Sequence, residues 1–371
     1  MSDRARTAQD VQDLVREGHG RILPRSGGTK SALSRSPDGV STLDVSELRG
    51  IVSYDPSEYT FTAFPSTPLS EVEACLRESG QYLPFDPPFA GRGATLGGTV
   101  AAGLSGPERF RYGGVRDFLI GVQFVDGVGR LVHGGGRVVK NAAGFDFPKL
   151  LVGSLGRLGI LVEVTFKVFP RSEAHSTLRF SVGDASAASA MVRRLASSLL
   201  DLEALDYEPH TSSNGGYVVL RVGGVEAGLK GRIQRVERFL DREADRWDDD
   251  ESYWRSVRDF DWMGDGAWLL KVPLTPTRLV GLDARLGELG AVRRYSAGSQ
   301  VGWIVVRDAA SVLRLGTVLD ELNLRGLLLD VPADQDPVSF RDLFRGARSG
   351  AGPLAERVRH ALDPNKKFAE F

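Results

Sequence analysis

The segment Ala94-Thr95-Leu96-Gly97-Gly98-Thr99-Val100-Ala101-Ala102-Gly103-Leu104-Ser105-Gly106-Pro107 has almost no bulky side chains and carries hydroxyls at intervals. Such a backbone lets N–H groups come close to a ligand, and successive N–H groups can line an anion-binding concavity. The same composition also suits a plain surface loop. Upstream lies Arg25-Ser26-Gly27-Gly28-Thr29-Lys30, where two glycines, two hydroxyls and two cations could meet phosphate or simply turn the chain. Downstream are Arg116-Asp117-Phe118-Leu119, Val139-Lys140-Asn141-Ala142-Ala143-Gly144-Phe145-Asp146 and Gly153-Ser154-Leu155-Gly156-Arg157-Leu158-Gly159-Ile160.

Several other chemistries are excluded. No G-x-G-x-x-G follows the first strand, because Gly91-Arg92-Gly93 continues as Ala94-Thr95-Leu96, and no G-x-x-x-x-G-K-[ST] occurs. The single cysteine, Cys75, rules out an internal disulfide and a cysteine-ligated iron–sulfur cluster. The five histidines, at 19, 133, 175, 210 and 360, show no metal-ligand spacing, so no metal is expected. With 47 Lys and Arg against 48 Asp and Glu, the net charge of −1 gives no basic surface for nucleic acid. No apolar run approaches the length of a membrane span and no secretory leader is seen, so a cytoplasmic protein is expected.

The order of the five segments resembles the FAD-binding domain of the vanillyl-alcohol oxidase / p-cresol methylhydroxylase flavoproteins. Within that family it is most similar to the smaller FAD-binding subunits of bacterial glycolate oxidase. The specific motifs cover about residues 20–170; beyond them the likeness rests on layout. The resemblance implies FAD as cofactor. It implies that Arg25, Ser26, Gly27, Gly28, Thr29 and Lys30 form a pyrophosphate loop. Thr95, Leu96, Gly97, Gly98, Thr99, Ala102, Gly103, Ser105 and Gly106 would form a wall under the diphosphate and ribityl chain. Gly159-Ile160 would touch the nucleotide through the main chain, Lys140 and Asn141 would approach the flavin, and Arg116-Asp117 would hold the loops together. The pyrophosphate loop has neither His nor Cys, so noncovalent FAD is expected.

The same resemblance implies an electron-transferring role in oxidising glycolate to glyoxylate, beside a larger FAD-containing catalytic subunit and an iron–sulfur subunit. Membrane association would come through those partners. Related D-2-hydroxyacid dehydrogenases carry a His- and acid-rich segment in their second domain, which this sequence lacks. Oxidising a hydroxyacid needs a base near the hydroxyl and a cation for the carboxylate. His210, Arg255, Arg258, Arg293 and Arg294 are candidates, each more simply taken as a surface charge, and no catalytic residue is assigned. A self-sufficient FAD dehydrogenase of a small 2-hydroxyacid or alcohol is the alternative, and a scaffold that has lost its cofactor is a third.

A chain of 371 residues is too long for one ordinary core. The expected fold is α+β. A two-subdomain PCMH-type FAD-binding domain spans 1–170. An α+β cap follows over 171–350, its antiparallel sheet built from two ferredoxin-like halves, and a C-terminal helix and tail, 351–371, return to the FAD domain. A helix is expected over 8–19, then strands at 21–24, 42–45, 50–54 and 59–64. Thr67 should N-cap a helix that starts at Pro68, buries Leu69, Val72 and Leu76 and stops at Gly80. Cys75 should be a small buried hydrophobe beside that stripe. Asp126-Gly127 marks a hairpin, a helix follows Asp146, and 159–169 alternates as a strand ended by Pro170. In the second half, 177–240 and 267–331 repeat a split β-α-β pattern, with helices at 185–200, 226–240 and 309–322. Between them, the acids Asp248-Asp249-Asp250-Glu251 suggest a solvated loop, and Trp247–Trp262 is either domain core, flavin shield or partner surface.

Overall fold

The structure, a computed structural model, describes residues 3–136, 145–210, 215–247, 250–335 and 352–369. It divides into two compact units: Met1–Ser105, Gly113–Arg171 and Gly350–Phe371 form the first, Gly106–Tyr112 and Ser172–Ser349 the second.

The first unit opens with β1 (Asp3–Arg4) and a helix over Ala8–Glu17. A reciprocal cap starts that helix, the Thr7 hydroxyl accepting from Asp10 N–H and the Asp10 carboxylate accepting from Thr7 N–H. Its Val11 and Val15, one helical turn apart, are buried. Strands β2 (Arg21–Arg25) and β3 (Val40–Asp44) join β1 in a parallel sheet ordered β1-β3-β2. The outer side of β2 meets the chain's C-terminal segment. Ile22 N–H donates to Lys367 C=O at 2.7 Å, and Ala369 N–H to Ile22 C=O at 3.0 Å. Before that, a helix over Pro353–Leu362 ends at Asp363, whose carboxylate accepts from Lys367 N–H at 2.7 Å and Phe368 N–H at 3.0 Å.

A second sheet of this unit contains β4 (Ile51–Asp55), β5 (Thr60–Ala63), β7 (Leu119–Val125), β8 (Leu131–Gly135) and β9 (Ile160–Lys167) in the order β4-β5-β9-β7-β8. Hairpin β7–β8 turns over Asp126–Arg130; the Asp126 carboxylate accepts from the N–H of Val128 and Arg130 and pins it. In β9, Ile160, Val162, Val164 and Phe166 alternate toward the interior. Phe166 stacks on Phe61 at 5.6 Å and on Phe85 at 5.7 Å, an aromatic centre for the sheet. Two short strands, β6 (Gln81–Tyr82) and β10 (Phe169–Pro170), pair apart from it.

The start of the helix at Leu69–Glu78 differs from expectation. Pro68 is the cap position and no side chain caps it. The Thr67 hydroxyl instead accepts from Gly50 N–H at 2.9 Å and donates to Phe64 C=O at 2.7 Å, closing the turn before the helix. Leu69, Val72 and Leu76 are buried as the stripe required.

The second unit is one antiparallel sheet of eight strands. Its first half contains β11 (Ala174–Val182), β12 (Ala204–Pro209), β13 (Gly216–Gly224) and β14 (Asp245–Trp247), ordered β14-β11-β13-β12. The second half contains β15 (Trp268–Pro273), β16 (Val292–Ser296), β17 (Val301–Val306) and β18 (Leu327–Asp330), ordered β16-β17-β15-β18. Each half runs β-α-β-β-α-β, with helices at Ala185–Ala196 and Glu226–Leu240, then Leu279–Glu288 and Ala309–Glu321. These are the two ferredoxin-like halves expected, and they join where Tyr207 of β12 opposes Tyr295 of β16, the rings stacked at 5.8 Å.

Register separates the two faces of this sheet. Tyr207, Val218 and Tyr295 share a face through their direct pairings, and Asp283 of the helix Leu279–Glu288 accepts from Tyr295 on that face at 3.0 Å. The other face carries Ala204, Asp206, Val219, Arg221 and Arg294, and a helix over Glu251–Asp259 packs its Trp254 and Val257 against Ala204 and Val219. Asp241–Gly266 thus contributes β14 and a helix, and its Trp254 and Phe260 are core. Asp248 and Asp249 lie outside the described residues, and Asp250 overturns the solvated-loop expectation. It is 3% exposed and binds the Arg221 guanidinium in two bonds of 2.8 and 3.0 Å. The helix expected to reach Leu200 ends at Ala196, leaving a loop that bears Leu199.

Candidate functional site

Strand β2 delivers Arg25 to the loop Ser26–Lys30. Gly28 turns with φ +66°, a conformation that strains any residue with a Cβ. A Cβ at Gly27 would lie 2.7 Å from the Gly93 carbonyl oxygen and 3.2 Å from Thr95 Cγ2, so this loop and the start of the next segment approach through backbone alone. Lys30 is 6% exposed; its ammonium donates to Thr29 Oγ1 at 3.1 Å and stands 5.7 Å over the Phe89 ring.

The segment after Gly93 forms a helix over Leu96–Ala102. Thr95 caps it, its hydroxyl accepting from Gly98 N–H at 3.3 Å. Gly97 is forced by packing: a Cβ there would sit 2.6 Å from Pro65 Cβ. Gly98 faces the loop instead, where a Cβ would meet Thr95 Oγ1 at 3.2 Å and the Lys30 ammonium at 3.5 Å.

Two hollows flank these elements. One is lined by residues that include Arg25–Lys30, Thr95, Gly98, Ala102 and Gly156. The other is lined by residues that include Val45, Pro65, Ser66, Gly97, Ser154, Gly159 and Ile160. Pro24, Ser26, Gly98, Ala101 and Gly156 line both, so they form one groove along the glycine walls. Its charged lining residues are Arg25 and Lys30, with no acid among them. The buried Ser26 Oγ has no hydrogen-bond partner, a cost that a ligand acceptor or donor would remove.

The groove therefore gathers Arg25, Ser26, Gly27, Gly28, Thr29, Lys30, Thr95, Gly97, Gly98, Ala102, Gly159 and Ile160. The other residues singled out in the sequence stand elsewhere. Leu96 and Thr99 are buried on the helix, and Gly103 ends it, packed against Gly153. The Ser105 hydroxyl accepts from Val115 N–H at 2.9 Å. Asp117 accepts from Gly114 N–H at 2.8 Å on an exposed turn that it shares with Arg116. Gly106 belongs to the second unit. Lys140 and Asn141 lie outside the described residues. Sequence reasoning missed Val45, Pro65, Ser66, Ser154 and Gly156. The Gly153-Ser154-Leu155-Gly156 run was a visible signal for the last two; nothing in the residue types of the others gave one.

In the second unit two of the candidate cations, Arg293 and Arg294, are not surface charges. Arg294, 4% exposed, donates to Asp206 at 2.9 Å and to the Tyr253 hydroxyl at 2.6 Å. The Ser296 hydroxyl and the Ala297 N–H complete the bonding of Asp206, donating at 2.7 and 3.1 Å. Arg293 makes two bonds to Asp283, 2.7 and 3.0 Å. Arg255 has an exposed ion pair with Glu251 at 3.6 Å, and His210 meets the Tyr217 ring edge-on at 5.1 Å. Arg258 is half-buried. A cation that the sequence did not flag is Lys271 of β15; burial, then the nearby Arg109, pulls its pKa down to about 8. Cys75 is half-buried, and burial followed by Glu78 and Glu71 pushes its thiol up, away from nucleophile behaviour.

The family described as FAD binding domain matches residues 3–135. The glycolate oxidase subunit GlcE of Escherichia coli (strain K12) is 47% identical over 158 residues, 43% of this chain and 45% of that protein. The glycolate oxidase subunit GlcD of Bacillus subtilis (strain 168) is 31% identical over 158 residues, 42% of this chain and 33% of that protein. The matched stretches thus span less than half of these curated relatives. Among solved structures, an alkyldihydroxyacetonephosphate synthase superposes with TM-score 0.71 at 16% identity, covering 98% of this chain and 74% of its own, which shows a shared fold. Two cations, an orphaned hydroxyl and glycine walls fit a flat dinucleotide with two phosphates. Residues 3–135 thus match a PCMH-type FAD-binding domain, with FAD as its cofactor.

Proposed function

We propose that this chain is the FAD-binding, electron-transferring subunit of a complex that oxidises glycolate to glyoxylate. A larger FAD-containing catalytic subunit and an iron–sulfur subunit are its partners, and the complex works in the cytoplasm, held at the inner face of the membrane through them. The residues for the cofactor are those of the groove: Arg25 and Lys30 balance the diphosphate, Ser26 and Thr95 offer hydroxyls, and Gly27, Gly97 and Gly98 permit close approach. Ser105, Arg116 and Asp117 shape the loops around it. No His or Cys lines the groove among the described residues, which supports noncovalent binding. Bound FAD supplies two-electron acceptor chemistry that the side chains lack.

The observation that carries the subunit role is the commitment of the second unit's arginines. Arg293 and Arg294 are each neutralised by a buried carboxylate, Asp283 and Asp206, and so are poorly placed to hold a substrate carboxylate. The similarity to proteins named as subunits supports the same reading. One observation favours a self-sufficient 2-hydroxyacid dehydrogenase instead: Lys271, with a pKa of about 8, has the protonation range of a base and lies near the cationic Arg109.

The visible spectrum of the purified chain, before and after anaerobic addition of glycolate, decides between them. A flavin spectrum that glycolate leaves unbleached is expected. Prompt bleaching by the isolated chain would make it the dehydrogenase itself.

A further inference from the structure

We propose that a groove on the second unit, between the loop after Ala196 and the helix Glu226–Leu240, docks an acidic, leucine-bearing segment of a partner subunit. The inference rests on the complex proposed above. The groove has a volume of about 660 Å³. Its apolar lining includes Leu199, Leu200, Val236 and Phe239. Leu199 is fully exposed, at 105%, the most exposed large hydrophobic side chain among the described residues. A leucine held over an apolar groove is an unfavourable surface for a protein that works alone and a normal one for an interface.

The rim decides the chemistry of the occupant. Asp201, the acid in the lining, is already matched by Arg111 at 2.6 Å and Arg232 at 2.7 Å. Arg194 is held by the Phe239 carbonyl and covers the Phe239 ring at 4.7 Å, fixing that wall of the groove. Arg235 and Arg238 remain. Both are exposed and neither has an ion pair among the described residues; Arg238 only returns to its own helix, donating to Gln234 C=O at 3.2 Å. Three residues apart, they lie on one helix face. The rim is therefore net positive around an apolar floor. Phosphates would use the arginines and leave the floor idle, whereas a protein segment with acids flanking a leucine or similar side chain uses both. Arginine and aromatic side chains are also those enriched at interface centres.

The test co-expresses the full chain with the larger FAD-containing subunit and the iron–sulfur subunit of its own source, and measures association by biosensor and co-purification. The variants are L199E/R235E/R238E and, as a milder version, R235A/R238A; flavin content and circular dichroism report that each is folded. The triple variant should bind the partner at least about tenfold more weakly. The alanine pair should lose part of the affinity, together with most of its salt dependence. Wild-type affinity in the folded triple variant would overturn the inference. So would a wild-type chain that self-associates in sedimentation while the triple variant does not, since the occupant would then be a second copy. If the wild-type chain binds neither subunit, the complex itself fails and the docking site falls with it.

Discussion

The groove beside the Arg25–Lys30 loop and the charged face of the second unit handle polarity in opposite ways. The groove leaves a buried serine hydroxyl without a partner, exposes backbone through missing side chains, and has Arg25 and Lys30 but no acid in its lining. The charged face neutralises itself. Arg221, 8% exposed in its side chain, lies between Asp250 and Glu108, and Arg294 is closed off by Asp206, Glu208 and Tyr253. Unmatched polarity is a site waiting for a ligand; matched, buried polarity is structural and is expensive to disturb.

The largest effect should come from breaking the matched side. Arg294→Met leaves Asp206 fully buried without its cation, and should cost about 3–5 kcal/mol in urea unfolding of the chain. Replacing Asp206 as well, with Asn, should recover a large part of that loss, because the penalty lies in the unpaired charge. If Arg294→Met unfolds like the wild type, the pairing has no structural weight and the contrast drawn above disappears.

The groove should respond differently. Gly98→Val places side-chain atoms among Thr95 and Lys30. Crowding of about 1–3 kcal/mol corresponds to roughly fivefold to 150-fold weaker FAD binding. Flavin per folded molecule, measured after gel filtration, should fall while the unfolding midpoint of the apoprotein stays near that of the wild type. A variant that retains full flavin would move the cofactor away from this groove.

A smaller effect sharpens the comparison within the second unit. The pKa of Lys271 is depressed to about 8 in the folded chain, against an ordinary 10.5. Between those values the unfolded chain still holds a proton that the folded chain has released, so stability rises with pH across that window. Lys271→Met should flatten this rise in urea titrations between about pH 8 and 10.5. An unchanged slope would show that Lys271 is no exception to the matched charges around it.

These differences also explain what the sequence revealed. Close approach requires glycine, and glycine is visible, so Gly27, Gly28, Gly97, Gly98 and Gly159 could be picked out before any coordinates. Val45, Pro65 and Ser66 could not. They line the groove because the chain passes there; Ser66 even spends its hydroxyl on Val45 C=O, at 2.6 Å. The repeated halves of the second unit were legible from hydrophobic alternation. Its ion pairs were not, because partners such as Glu108 and Arg221 are 113 residues apart and each looks like an ordinary surface charge until the sheet places them together. The same blindness made Asp250 part of a solvated acid run. The turn at Thr67 shows a local version: its hydroxyl suits a helix cap, and the backbone of Gly50 and Phe64 competes for it successfully.

The segment that covers the outer side of β2 has a temporal meaning. Phe368 and Ala369 lie beside Ile22 and Leu23, on the strand that carries the Arg25–Lys30 loop at its end. On a ribosome that adds about 5–20 residues per second, every residue of the second unit emerges before Phe368 does. The strand that carries the Ser26–Lys30 loop therefore stays one-sided until the second unit has been made. Its partner on that side arrives only after the second unit has had time to form, so the edge of the first unit's small sheet is completed later than the sheet of the second unit.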